Sequence, residues 1–298
     1  MDTATRTPAQ FDRTRDDQSN IVVLEHVNLE IGDQQLATAF YVVGLQLTRD
    51  PYIMVGLDNM WINAGRTQMH LPTERTRIQR FRGVIGLVVP DPESVARSLE
   101  RVTPLLANTQ FSFRRSGDTV EATCPWGNRF RCHAPDTERW GQTQLGIAYL
   151  DLDVPPGAAR AIANFYLAIM DAPSDLECRD DGLQTASVRV GADQCLHFIE
   201  TRDPIPEYDG HHIAIYVADF SGPHWRMGEL GIVSRDSEPH EWRFIDIIDP
   251  DTRAVVYQLE HEVRSMRNPL FARPLVNRNP VQSNRDYARG QDAFRGTY

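Results

Sequence analysis

One pattern recurs four times along the chain: an alternating β-rich segment, a helix-like stretch, and two or three further strand-like runs. The repeats open near His26, Gly83, Gly146 and His212, at intervals of 57, 63 and 66 residues. A βαβββ unit of about 50 residues cannot cover both faces of its own sheet, so the units must pair. The sequence therefore predicts an α+β protein whose four βαβββ modules form two open, curved β-barrels with the helices outside.

The helices and the closing strands repeat with the same period as the openings. The predicted helices are Gln34–Val43, Pro92–Leu106, Gly157–Met170 and Gly222–Leu230. The closing strands contain Met69-His70-Leu71, Phe130-Arg131-Cys132, Leu196-His197-Phe198 and Leu259-Glu260-His261. The periodicity thus holds within units as well as between them, which favours a repeated module over four unrelated segments.

Composition and charge divide the chain into four parts. Residues 1–20 are polar and aperiodic and predict a disordered leader. Residues 21–138 hold the N-terminal pair of modules and residues 139–262 the C-terminal pair. Residues 263–298 form an Arg-rich extended tail with a local charge of +5, against −15 for the rest of the chain. We expect this tail to be ordered through about Asn279, either closing one side of a cavity or crossing to a second subunit in a homodimer.

Composition also excludes several classes of function. All 31 basic residues are arginine, so Schiff-base chemistry on lysine and a P-loop are excluded. The net charge of −10 argues against binding to nucleic acid. No apolar run reaches the ~18 residues of a membrane span. The four cysteines form no CxxC motif, and the chain does not begin with a signal-peptide pattern, so we expect a cytoplasmic protein.

The four modules, over roughly residues 22 to 262, resemble the vicinal oxygen chelate superfamily, which includes glyoxalase I, extradiol ring-cleavage dioxygenases and bleomycin-resistance proteins. The length and the four-module plan are most similar to the extradiol dioxygenases. In this superfamily the metal ligands lie on the opening and closing strands of paired modules. The matching positions in this chain are His26, His70, Gly83, Arg131, Gly146, His197, His212 and Glu260.

Five of these eight positions carry side chains that bind metals. With 9 histidines in 298 residues, chance would place fewer than one at eight chosen positions, and four are found. Imidazole and carboxylate ligands suit a divalent metal. The resemblance therefore implies a metal cofactor, with Fe²⁺ favoured and Mn²⁺, Ni²⁺ or Zn²⁺ as alternatives.

Two pairings of the modules remain open. If neighbours pair, the third and fourth modules offer His197, His212 and Glu260, but Gly146 then stands where extradiol enzymes have their first ligand. If the first module pairs with the fourth, as in some glyoxalase I relatives, one cavity collects the metal set His26, His70, His212 and Glu260. We favour the second pairing because it fills one cavity with ligands, and it leaves His197 as a catalytic proton shuttle.

Two further catalytic candidates follow from the same resemblance. In extradiol dioxygenases a histidine and a tyrosine of the last module orient the substrate and move protons. His240, near the start of a strand, and Tyr257 lie at about the corresponding places in this chain. The resemblance thus implies a metal-dependent enzyme for a small oxygenated substrate. An extradiol-like dioxygenase is favoured, and the alternatives are a glyoxalase-type lyase or isomerase, or a metal-free binding protein of the bleomycin-resistance kind.

Overall fold

A computed structural model of the chain describes residues 17–50, 58–74, 76–273 and 275. The first module comprises β1 (Ile21–Asn28), α1 (Gln34–Ala37) with a π-helical continuation (Thr38–Gly44), β2 (Thr48–Arg49), β3 (Asn59–Ala64) and β4 (Thr67–Pro72). The second comprises β5 (Gly83–Val88), α2 (Pro92–Leu106), β6 (Ser112–Ser116), β7 (Thr119–Thr123) and β8 (Arg129–His133).

A short helix, α3 (Thr137–Trp140), connects the two halves of the chain. The third module comprises β9 (Gly146–Val154), α4 (Ala158–Met170), β10 (Ser174–Cys178), β11 (Gln184–Gly191) and β12 (Gln194–Glu200). The fourth comprises β13 (His212–Val217), α5 (Ser221–Leu230), β14 (Val233–Glu238), β15 (Glu241–Ile248) and β16 (Val255–Ser265). The predicted βαβββ modules and their helices are confirmed.

Local sequence explains where the helices begin. The Asp91 carboxylate accepts a hydrogen bond from the Ser94 backbone N–H, and Pro92 occupies the first turn of α2. Asp33 caps α1 in the same way, accepting from the backbone N–H groups of Gln35 and Leu36. These side chains satisfy amide groups that have no partner within the helix, so α1 and α2 begin where the sequence predicts.

The strands form two open sheets of eight strands each. The first has the order β14-β15-β16-β13-β1-β4-β3-β2 and the second the order β10-β11-β12-β9-β5-β8-β7-β6. The first sheet joins the fourth module to the first through the antiparallel pair β1/β13, and the second joins the third to the second through β5/β9. The favoured pairing of the first and fourth modules is therefore confirmed. Each sheet also crosses the division drawn at residue 138.

The hydrophobic core lies between the two sheets. Tyr166 of α4 contacts both Phe198 of β12 in the second sheet and His261 of β16 in the first. Phe40 of the π-helical stretch packs against Phe130 of β8 in the opposite sheet. The two sheets share one continuous hydrophobic core. Among the described helices, none combines the length and the apolar character that a membrane span needs.

Packed structure extends into both terminal segments that composition had set apart, the leader before residue 21 and the tail after residue 262. The leader expected over residues 1–20 lies outside the described residues as far as residue 16, but Ser19 already bonds the carbonyl of Arg189. Beyond the end of β16, Phe271 packs on Tyr216, with ring centroids 4.9 Å apart. Arg273 pairs with Asp50 at 3.1 Å, and both side chains are buried. The expectation for residues 276–298 lies outside the described residues.

Candidate metal centre

Three histidines from three neighbouring strands meet on one face of the first sheet. His26 lies on β1, His70 on β4 and His212 on β13, and their ligand nitrogens all lie within 4.8 Å of one another. Strand β1 is hydrogen-bonded to both other strands, so the convergence follows from the pairing of the first and fourth modules. Three imidazoles in this arrangement can hold a divalent transition metal.

Two of these histidines have a hydrogen-bond partner that fixes the ring. The His26 Nδ1 lies 3.1 Å from the Glu25 carboxylate, and the His70 Nε2 lies 2.8 Å from the Asn59 side-chain oxygen. Metal-binding histidines usually donate their second N–H in this way, which leaves the other nitrogen free for the metal. The Nε2 atoms of His26 and His212 are buried and form no hydrogen bond within the described part of the chain. These unpaired buried nitrogens fit a metal.

The protonation of the histidines also suits a metal. Burial lowers the pKa of His26 and lowers the pKa of His70 well below its usual value. A neutral imidazole keeps the lone pair that a metal ion needs, whereas a protonated one does not. These two rings are therefore ready to bind a metal at neutral pH.

Glu262, and not Glu260, lies beside the three histidines. The carboxylate of Glu262 lies 3.5 Å from the His212 Nε2, whereas that of Glu260 bonds the Arg243 guanidinium at 2.9 Å. The register explains this difference, because Ala214 pairs with both His26 and Glu262.

The other half of the sheet has the same pattern of pairings. Asn28 pairs with both His212 and His70. Glu262 is thus related to His70 by the internal symmetry of the sheet, while Glu260 is related to Gln68, since these two pair with His212 and His26. The carboxylate that lies beside the histidines is therefore that of Glu262, two residues after the predicted Glu260.

Two arginines and four glutamates form a half-buried to buried network next to the histidines. The arginines are Arg243 and Arg264, and the glutamates are Glu25, Glu241, Glu260 and Glu262. Arg264 contacts both Glu25 and Glu262, and its Nε lies 3.3 Å from Glu241. Arg243 binds Glu262 at 2.6 Å. The network holds Glu25 in place beside His26 and Glu262 beside His212.

The charge of this network favours a bound cation. Four carboxylates and two guanidinium groups carry a formal charge of −2 when all are ionised. Burial, and then the charge of Glu262, raise the pKa of Glu241 to about 7. An unbalanced charge inside a protein is destabilising, and a divalent cation bound by the histidines would neutralise the negative charge of the network. The residues present therefore fit a divalent metal.

Two further polar groups of the centre were not anticipated from the sequence. The Asn28 side-chain oxygen and the Trp61 indole nitrogen are buried and have no hydrogen-bond partner among the described residues. Trp61 stacks on His70 at 4.0 Å between ring centroids, and Asn28 pairs with two of the histidine strands. Both are available to a molecule bound at the centre. An asparagine and a tryptophan within strands carry no sequence signal of this role.

The remaining catalytic candidates lie elsewhere. His197 is on β12 of the second sheet, where its Nδ1 is 3.9 Å from Asp151. His240 lies in the turn between β14 and β15, where its carbonyl accepts a hydrogen bond from the Ser265 N–H. Tyr257 is buried in the core against Phe198. The structure thus gathers three of the seven predicted site residues, His26, His70 and His212, in one place.

The second sheet repeats the pairing pattern with different side chains. Gly86 pairs with Tyr149 and Arg131, and Asp151 pairs with Val84 and His197. Four residues occupy the positions equivalent to the three histidines and Glu262, and they form the second centre: Val84, Arg131, Tyr149 and His197. Among the described residues, the histidine trio of the first sheet is the only group of three or more ligand-type side chains close enough to hold a metal.

Tyr149 fills much of the second centre. A Cβ atom at Gly86 would lie 2.2 Å from the Tyr149 ring, so only glycine permits this close approach. The Tyr149 hydroxyl is 2.9 Å from the His133 Nε2 and accepts a hydrogen bond from Arg131 at 3.3 Å. Trp140 of α3 stacks against the same ring. The second centre is therefore an ordered polar cluster and not an emptied copy of the first.

Replacing Asp151 with asparagine should change how stability depends on pH. Burial raises the pKa of Asp151 from its ordinary 3.8 to about 6. The folded state thus holds this proton more tightly than the unfolded chain, so this group lowers stability as pH rises from about 4 to about 6. In Asp151→Asn, the fall in the free energy of unfolding over this pH range should be smaller by about 2 kcal/mol. Urea denaturation of both proteins across this range measures it, and a difference that does not vary with pH would contradict the assignment.

Comparison with known proteins reveals a likeness of fold only. No family model and no curated protein matches the chain. The structure is similar to that of a presumed dioxygenase from Bacillus subtilis, with a TM-score of 0.58 and 13% sequence identity over 91% of each chain. It is also similar to glyoxalase I from Zea mays, with a TM-score of 0.57 and 14% identity over 81% of this chain and 92% of that one.

Proposed function

We propose that this chain, which has the fold of the vicinal oxygen chelate superfamily, is a metal-dependent enzyme acting on a small organic molecule with two adjacent oxygens. The observation that carries the proposal is the convergence of His26, His70 and His212 within 4.8 Å, where the buried Nε2 atoms of His26 and His212 form no hydrogen bond with the described residues. These three residues would hold the metal, with Glu262 next to them as a fourth candidate ligand. A divalent metal bound there supplies a Lewis acid for the two oxygens, and iron would also supply redox chemistry with O₂.

The residues around the histidines would position the substrate. The Trp61 indole N–H can donate a hydrogen bond to a substrate oxygen, since it has no acceptor among the described residues. The side chain of Asn28, between the strands of His70 and His212, can hydrogen-bond a second substrate atom. Buried polar groups that are paired only when the substrate binds favour molecules with oxygens at matching places.

The contacts of Glu262 favour an extradiol-like dioxygenase. Its carboxylate binds Arg243 at 2.6 Å and also contacts Arg264. A carboxylate engaged by two guanidinium groups has little capacity left to take a proton from carbon. Ring cleavage by O₂ at a metal does not require such a base, whereas a glyoxalase-type reaction does. The likeness of fold to the Bacillus subtilis protein is in keeping with this reading.

One observation supports a second candidate, a glyoxalase-type lyase or isomerase. The pairing of the first and fourth modules brings three histidines and a glutamate to four symmetry-related positions of the first sheet. A lyase of this kind needs a full set of ligands, one of which leaves the metal to move a proton. The likeness of fold to the Zea mays enzyme fits this candidate equally well.

Reconstitution of metal-free protein tests the proposal. The chain is stripped with a chelator, reloaded anaerobically with Fe²⁺, Mn²⁺, Ni²⁺ or Zn²⁺, and its metal content is measured after gel filtration. We expect about one metal per chain, and uptake of O₂ that requires both Fe²⁺ and catechol as the probe substrate. Turnover of the hemithioacetal of methylglyoxal and glutathione by the Ni²⁺ or Zn²⁺ form, without O₂ uptake, would favour the lyase. Failure to retain any of the four metals would contradict both and favour a metal-free binding protein.

A further inference from the structure

The second centre lies beside a groove of about 410 Å³ on the same sheet. Three arginines line this groove: Arg114, Arg129 and Arg131. Arg114 and Arg129 each have a close carboxylate partner, Glu121 at 2.6 Å and Asp153 at 2.9 Å. These two guanidinium groups are therefore already paired within the protein.

Arg131 is different, because its contacts within the described residues are all long. Its nearest atoms are the Tyr149 hydroxyl at 3.3 Å, Asp151 at 3.4 Å and Glu121 at 3.7 Å. Glu121 is already engaged by Arg114 at 2.6 Å. The Arg131 side chain lines the groove and is 35% exposed. It is thus held in place, incompletely paired, and open to a molecule in the groove.

We propose that this groove binds a small monocarboxylic acid, with its carboxylate on Arg131 and its apolar body on Val84 and Phe113. The planar guanidinium group matches one carboxylate with two parallel hydrogen bonds. The nearby charges of Glu121 and Asp151 disfavour a dianion such as phosphate. Val84 and Phe113 supply apolar surface in the same groove, and Ser112 and Thr123 supply hydroxyl groups.

The groove is built and not incidental. His133 is 4% exposed, and its Nε2 lies 2.9 Å from the same Tyr149 hydroxyl that Arg131 approaches. Tyr149 is fixed from below by Gly86 and from the side by Trp140. Arg131 occupies a position equivalent to a ligand of the first centre, on a strand next to the axis of the sheet. This inference does not rest on the metal centre, because the two sites are on different sheets.

Calorimetric titration of the full chain with benzoate tests the proposal, with benzyl alcohol as the neutral probe of similar shape. We expect benzoate to bind and benzyl alcohol to bind at least about tenfold more weakly. Arg131→Gln should weaken benzoate binding at least about tenfold, and Arg131→Lys should also weaken it because lysine cannot form the paired contact. Arg129→Gln, in the same groove, should change benzoate affinity less than about twofold, because the Arg129 guanidinium is already paired with Asp153.

Several results of these titrations would contradict the proposed binding of a monocarboxylic acid. No benzoate binding at about 10 mM, equal binding of benzoate and benzyl alcohol, or equal losses in the Arg131→Gln and Arg129→Gln variants would each overturn it. Circular dichroism of Arg131→Lys, which keeps the charge, checks that the fold is intact. Titration of His26→Ala should give wild-type benzoate affinity, so a failure of the metal centre and a failure of this groove are told apart. Binding that His26→Ala abolishes would place benzoate at the first centre and contradict the proposal.

Discussion

Replacing His26 with alanine is expected to weaken the binding of a divalent metal by at least about 100-fold while the fold is retained. His26 lies between the other two histidines in the sheet, and its Nε2 is buried without a partner among the described residues. The alanine variant loses one of three ligands together with the contact to Glu25. The change is measured by titrating metal-free protein with Fe²⁺ or Zn²⁺ in competition with a chelator of known affinity.

His224→Ala is the matched control for this experiment. His224 pairs with Asp236 at 3.0 Å on the outside of the fourth module, so its loss should leave metal affinity at the wild-type value. The same titration separates the two glutamates of β16. Glu262→Gln should lower the metal affinity, because the Glu262 carboxylate faces His212. Glu260→Gln should change the metal affinity much less. Equal metal affinity in His26→Ala and wild-type protein would show that the histidines do not form a metal site.

The sequence predicted the four modules and favoured, between two open alternatives, the pairing that the structure has. The alternating strand segments and the helix-like stretches between them are local signals, and their repetition indicated the four βαβββ units. The pairing of the first and fourth modules could be inferred from chemistry, since only that arrangement gathers His26, His70 and His212. In the structure β1 and β13 are neighbours, with Asn28 opposite His212. Ligand-type side chains at repeated positions thus carried information on tertiary structure.

The position of the carboxylate could not be predicted in the same way. Side chains on a strand alternate with a period of two, so Glu260 and Glu262 face the same side of β16 and give the same hydrophobic pattern. Only the register distinguishes them, and register depends on pairing across the sheet. Ala214, which contributes nothing to the chemistry, is the residue opposite both His26 and Glu262.

The positions of the second sheet that correspond to the metal ligands were also assigned to the wrong residues, for a related reason. Matching the four repeats placed Gly83 and Gly146 at the ligand positions of the first strand in the second and third modules, whereas the register places Val84 and Tyr149 there. In the pairing of β5 with β9, which shifts between Gly86 and Leu87, Tyr149 lies opposite Gly86, whereas Gly146 lies opposite Val88. The role of Tyr149 follows from its contact with Gly86, and neither residue alone indicates it.

Removing the guanidinium group of Arg264 is expected to destabilise the fold strongly. The Arg264 side chain is 8% exposed and contacts Glu25, Glu241 and Glu262. In Arg264→Met these carboxylates lose the positively charged guanidinium group that they share, and they are too buried for water to replace it. Breaking a buried ion pair from one side typically lowers the free energy of unfolding by about 3–5 kcal/mol. Urea denaturation of metal-free protein measures this loss.

The surface residue Arg115 provides the matched control, because it also binds two glutamates, Glu93 and Glu100, but in full contact with water. Arg115→Met should therefore leave the denaturation midpoint close to that of the wild-type protein, since water and salt screen exposed ion pairs. Adding Glu25→Gln to Arg264→Met should recover part of the stability, because it removes one of the stranded negative charges. If Arg264→Met were no less stable than Arg115→Met, or if Glu25→Gln destabilised the double variant further, the carboxylates of the centre would not depend on Arg264 for their charge balance. The excess negative charge would then have to be relieved by protonation of Glu241, whose pKa of about 7 makes it the most readily protonated member of the network.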